Sequence, residues 1–218
     1  MTSTLDLANE FAKVVECERC STNDCRSLLR DSGENVPQPG FVGTAYWHKR
    51  ILIVGQNPAI TKGAASELAD RPYTAALRAL RDKKTIVTYE ELWRITTEFL
   101  PTWRVHQDYF PLIECDLSLQ DLAYCNIVRC RTARNGDNVP PNDRVAFRCA
   151  DAHFSRWVQW LEPRAIIFLG KYAYDRGKEI ADRFGVPSDF LNRVRNHPEE
   201  LRRADRARVA ALVRSVIV

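Results

Sequence analysis

The sequence predicts an α/β fold: three layers, αβα, around a central, mainly parallel four-stranded sheet. Two observations predict it. The first is a set of short continuous apolar runs, at Ile51 to Val54, Leu122 to Val128 and Ala165 to Leu169, with a weaker fourth candidate at Arg193 to Asn196. Runs this apolar suit strands covered on both faces, as in a parallel sheet. The second is the helix-like sequence between them, at 72–82, 89–99 and 145–161, and again from about 204 to 216, where Val209, Leu212, Val213 and Val216 recur at helical spacing. Strands alternating with helices build βαβ units.

The remaining segments fit one domain over 1–218, with a cysteine-bearing N-terminal segment, 1–30, packed on it. That segment reads as helical around Cys17-Glu-Arg-Cys20-Ser-Thr-Asn-Asp-Cys25. Residues 31–47, rich in Gly, Pro and Asn, read as an extended loop, as does the Trp- and Pro-bearing stretch 101–111. Hydrophobic residues at 45% and charged residues at 28% are globular usage. No run approaches the ~20 apolar residues of a membrane span. The first residues lack the basic and apolar regions of a signal peptide, so the expected location is intracellular, in the cytoplasm near the nucleoid. Thiols there stay reduced. Seven cysteines then read as metal or cluster ligands, or as buried inert thiols.

Arginine supplies 25 of the 32 basic residues in a chain of net charge +4. Arginine forks onto phosphate, and a GC-rich genome gives the same bias. The segments 126–148 and 193–208 each carry a net +3. Both lie beside the loops that follow strand ends, where open α/β sheets bind ligands. Those loops hold Gln56, Asn57 and Pro58; Arg129 and Cys130; Gly170 and Lys171; and His197 and Pro198. An anionic partner such as nucleic acid fits this charge; a solvated arginine-rich helix face is the rival reading.

Each motif has a functional and a plain reading. Cys17-x-x-Cys20 with Cys130 and Cys149 suits zinc or a four-iron cluster. Cys25 and Cys125 compete as ligands, and Cys115 reads as a buried thiol. Gly55 after a strand permits a tight turn and close backbone approach to a ligand. Asn57 orients a water or simply makes an Asn-Pro turn. His197, before Pro198, is a catalyst or a structural histidine.

The ordered set of these residues, from Cys17 to His197, resembles the uracil-DNA glycosylase superfamily, and within it the iron–sulfur branch. Cys125-Asn-Ile-Val-Arg-Cys130-Arg is similar to that branch's segment in which Asn reads the base and Cys ligates the cluster. Ile167-Phe-Leu-Gly170 with Ala173 is similar to its Leu-Gly-x-x-Ala turn. The chain departs from that branch at Gln56-Asn57-Pro58-Ala59, and at Lys62-Gly63, which stand where it has acids. An Asn two residues after the Gly is similar instead to the single-strand-selective and mismatch-specific branches. Glu199 follows His-Pro, where a small residue is usual, and 83–121 is longer than the corresponding connection.

The resemblance implies excision of uracil, or a related deaminated base, from DNA by a monomer with no membrane partner. Gly55 and Gln56 would line the base site. Tyr73 would stack on the flipped base, or else be a core tyrosine. Asn126 would read uracil's O4 and N3–H, or else cap a strand end. His197 would donate to O2 as charge grows there, and Asn57 would orient the attacking water. Leu201 would fill the gap left in the duplex, or else pack in a helix core. Arg195, Arg202, Arg203, Gly170 and Lys171 would hold phosphates. Cys17, Cys20, Cys130 and Cys149 would hold a structural 4Fe–4S cluster, ahead of zinc. A non-catalytic nucleic-acid-binding protein of the same fold, with a structural metal site, is the second class.

Overall fold

The computed structural model describes residues 4–20, 28–29, 36–58, 64–82, 91–94, 117–132, 140–192 and 199–217. In chain order its elements are α1 (Thr4–Val15), β1 (Leu28–Leu29), β2 (Phe41–Val42), α2 (Tyr46–Lys49), β3 (Ile51–Gly55) and α3 (Ala64–Arg81). There follow β4 (Leu122–Asn126), β5 (Arg131–Thr132), α4 (Asp143–Cys149), α5 (Ser155–Leu161), β6 (Ala165–Leu169), α6 (Lys171–Arg183), β7 (Ser188–Leu191) and α7 (Glu199–Val216). The chain forms two compact units. One is built from Met1–Pro39, Asn57–Arg104 and Val128–Val145, the other from Gly40–Gln56, Val105–Ile127 and Ala146–Val218.

The second unit carries a five-stranded sheet in the order β2-β4-β3-β6-β7. Strands β4, β3, β6 and β7 run parallel, and β2 joins β4 antiparallel. Every residue of β3, β4 and β6 is buried, which is why each reads as an unbroken apolar run. Helices α6 and α7 both pack on β6 and β7, giving the α/β/α layering. Tyr46 on α2 is fully buried and donates its hydroxyl to the Leu161 carbonyl at 3.2 Å. Burial pushes its phenol well above the ordinary range.

The first unit is smaller in regular structure. α1 packs on α3, and β1 pairs antiparallel with β5, Leu28 opposite Thr132 and Leu29 opposite Arg131. Two arginines of the basic segment are buried here. Arg129, 1% exposed, donates from Nη1 to the Pro39 carbonyl, while its own carbonyl accepts from the Gln38 N–H at 2.8 Å. Arg131 donates from Nε and Nη2 to the Gln38 side-chain oxygen, at 3.2 Å each.

Several expectations need correction. The sheet has five strands, because Phe41 and Val42 form an edge strand within the stretch read as a loop; two residues are too short to show a period. A strand stands at Ser188–Leu191, upstream of the expected 193–196, which lies outside the described residues. Helix α3 begins at Ala64 and contains Pro72, a residue that ordinarily marks a helix start. The helix expected at 145–161 begins at Asp143, where Asn142 Oδ1 accepts from the Val145 N–H at 2.9 Å, and it widens into a π turn over Ala150–Phe154. Residues 17–20 have no helical structure, so the N-terminal helix ends at Val15. Of 89–99, a helical turn at 91–94 is described; the loop 101–111 lies outside.

Candidate active site

The residues singled out by sequence fall in both units. In the second unit, β3 and β4 end side by side, with Gly55 opposite Asn126 and the Ile127 N–H donating to the Gly55 carbonyl at 2.8 Å. Side chains two apart on a strand share a face. Tyr124 and Asn126 therefore project together, and the Tyr124 hydroxyl donates to Asn126 Oδ1 at 2.9 Å. A Cβ on Gly55 would lie 2.4 Å from that Oδ1 and 2.8 Å from the Tyr124 hydroxyl. Gly55 is thus a strand residue whose missing side chain makes room for this pair, rather than the apex of a turn. Cys125, between the pair, faces the other side of the sheet and is fully buried.

The next loop of the same unit begins at Gly170, whose φ of 95° is left-handed territory that favours glycine. Its N–H donates to the Leu191 carbonyl at 2.7 Å, tying the ends of β6 and β7 together. Lys171 opens α6, exposed, with its ammonium 2.6 Å from Asp175 on the next turn.

His197 and Arg195 lie outside the described residues. Leu201 and Arg202 lie on the first turns of α7, with their side chains outside the described set. What the structure describes is how the chain is held on either side. Asn192, just after β7, donates its N–H and its Nδ2 to Asp205 Oδ2 on α7, at 3.1 and 2.8 Å. Arg208 donates to Asp205 Oδ1 at 2.9 Å, to the Phe190 carbonyl at 2.9 Å, and to Asp189. Burial, the largest influence on the Asp205 carboxyl, pushes it up. The donors of Asn192 and Arg208 together outweigh it and hold the carboxyl below its ordinary value.

In the first unit, Asn57 is buried and donates from Nδ2 to Thr132 Oγ1 at 3.0 Å and to the Pro58 carbonyl at 3.3 Å. These bonds fix which end of the amide is nitrogen. Thr132, fully buried in β5, is a partner that sequence reasoning passed over. A lone Thr after Cys-Arg carries no signal until β5 places it. Tyr73 is 1% exposed on α3, so its ring is covered, and stacking on a base asks that cover to open. Gln56, next to Asn57 in the chain but in the second unit, is half-buried. Cys17 is half-buried and Cys20 and Cys130 are buried in the first unit, while Cys149 is buried in the second unit. Among the described residues no three His, Cys, Asp or Glu side chains gather so that they could hold a metal ion. Cys25 and Cys115 lie outside the described residues.

A family model described as the uracil DNA glycosylase superfamily matches residues 43–214. No curated protein matches the chain. Superfamily members are DNA glycosylases, hydrolases that act on DNA. The matched stretch takes in β3, β4, β6, β7 and the helices between them, the frame on which Gly55, Asn126 and Gly170 stand, and on that ground the chain belongs to the uracil DNA glycosylase superfamily.

Proposed function

We propose that this protein excises uracil, or a closely related deaminated base, from DNA by hydrolysis. The observation that supports this most is the side-chain amide of Asn126, held by Tyr124 at the end of a central strand in a chain of this superfamily. A base inside a duplex is out of reach, so it must first be turned out of the stack. Asn126 offers an acceptor to N3–H and a donor to O4. Cytosine presents the reverse pattern. His197 donates to O2 as negative charge develops there, and Asn57 orients the water that attacks the sugar carbon. An amide is a poor base, but an oxocarbenium-like carbon needs little help from one. Leu201, Arg195 and Arg202 belong to the DNA-gripping side of this reading.

A 4Fe–4S cluster on Cys17, Cys20, Cys130 and Cys149 is part of the same proposal, with Cys25 or Cys125 as an alternative ligand. What supports it is donor chemistry: four cysteines, three of them buried, two of them in a Cys-x-x-Cys pair, the residue type that ligates such clusters. When bound, the cluster supplies a cross-link between chain segments, and no step of excision passes through it.

The test is incubation with a uracil-containing oligonucleotide, followed by alkali to reveal abasic sites. The expected result is strand scission that an Asn57→Ala, His197→Ala double variant does not produce. Equal scission by both proteins, or none by either, contradicts the proposal; DNA binding without scission leaves the non-catalytic class standing.

A further inference from the structure

An amide can be turned over. A half-rotation of the Asn126 side chain exchanges Oδ1 and Nδ2, and so exchanges acceptor and donor. In one orientation the amide complements uracil, N3–H to Oδ1 and O4 to Nδ2. In the other it complements cytosine, whose N3 accepts and whose exocyclic amine donates. Asparagine at this position therefore does not choose the base by itself; whatever fixes its orientation does.

Two features of the structure favour one orientation. The Tyr124 hydroxyl donates to Oδ1 at 2.9 Å. A phenol is a better donor than acceptor, because its oxygen lone pair is delocalised into the ring, so a carbonyl oxygen is the preferred partner. Oδ1 keeps a second lone pair for N3–H. The Gly55 α-hydrogen occupies the direction a Cβ would take, toward Oδ1. A C–H aimed at a carbonyl oxygen is weakly attractive, whereas a C–H aimed at an N–H is not. Both groups are held. Tyr124 is buried beside Phe41, ring centres 6.1 Å apart, and Gly55 is bonded into the ladder opposite Asn126.

We infer that Tyr124, with Gly55, is a positioning and specificity-determining residue that locks the Asn126 amide in the uracil-reading orientation. This rests on the proposed reading of Asn126 as the base reader.

The test is direct binding to two oligonucleotides that differ only in a central 2′-fluoro-deoxyuridine or 2′-fluoro-deoxycytidine, both resistant to cleavage, with fluorescence anisotropy as the readout. The wild-type protein is expected to prefer the uridine oligonucleotide. Tyr124→Phe is expected to lower that preference by about five- to tenfold, the effect of one neutral hydrogen bond. Gly55→Ala, which pushes on Oδ1 from below, is an independent second variant expected to move the ratio the same way. Thermal melts show that each variant is folded. A merely structural Tyr124 weakens both oligonucleotides alike, so an unchanged ratio in folded Tyr124→Phe overturns the inference, as does a wild-type protein with no preference. Uracil excision is measured separately: preference without excision sinks the catalytic reading and leaves the lock standing.

Discussion

Asn57 and Asn126 each show an amide whose two ends are told apart by a neighbour. For Asn57 it is the Pro58 carbonyl, which only accepts, with Thr132 as a second partner, and for Asn126 it is Tyr124. The two asparagines were legible in the sequence because each follows an apolar run that ends a strand. Thr132 and Tyr124 were not, because the first pairing depends on which side chains a short strand brings close, and the second on which face of β4 a tyrosine takes. Gly55 was legible as a special glycine but for another reason: the structure needs its empty space more than its freedom to turn. Thr132→Val tests the residue scale. It keeps the volume of a fully buried side chain but deprives the Asn57 amide of an acceptor, at a cost of about 1–2 kcal/mol. Excision is expected to fall about tenfold as the amide loses the shorter of its two bonds and is held by the Pro58 carbonyl alone. Single-turnover rates and a melting curve check both parts.

The three central strands were legible because burial on both faces writes itself as continuous apolar sequence. Edge elements were not. Phe41–Val42 is too short for a pattern, and three of the four residues of Ser188–Leu191 are half-buried, so the run carries no clear signal. Helix α3 extends upstream of the expected 72–82 because Pro72, which ordinarily marks a beginning, lies inside it. At this scale β7 and α7 are joined by Asn192, Asp205 and Arg208. The Asp205 carboxyl is held below its ordinary value, so its contribution to stability is complete above the unfolded value of about 4 and is lost as pH falls through the lower folded value. Asp205→Asn is expected to cost about 2 kcal/mol at pH 7, since bonds to a charged group are lost. The gap between variant and wild type is expected to narrow as pH drops below about 4. Thermal melting from pH 7 down to pH 3 checks it, and a gap independent of pH contradicts it.

For the whole molecule, charge was the most misleading signal. Arg129 and Arg131 belong to the first basic segment, yet both are buried, committed to the Pro39 carbonyl and to Gln38, while Arg208 of the second is exposed but already paired with Asp189 and Asp205. Sequence counts charges but does not show which are turned inward, so fewer arginines are left to meet phosphate than the tally suggests. The cysteines pose the same problem for the proposed cluster. An anaerobically purified protein is expected to be brown, to absorb broadly near ~400 nm, and to contain iron that Cys130→Ser removes. A colourless protein with bound zinc points to a zinc site instead.

The central claim is that this chain hydrolyses the bond between uracil and its sugar through an amide that reads the base. Quantifying free uracil released from a single-uracil oligonucleotide, with protein in excess, tests it most directly. The account predicts one equivalent of uracil, matched by one abasic site, from the wild-type protein, and a rate lower by about a hundredfold for Asn126→Ala. No free uracil, or release by Asn126→Ala at the wild-type rate, would contradict it.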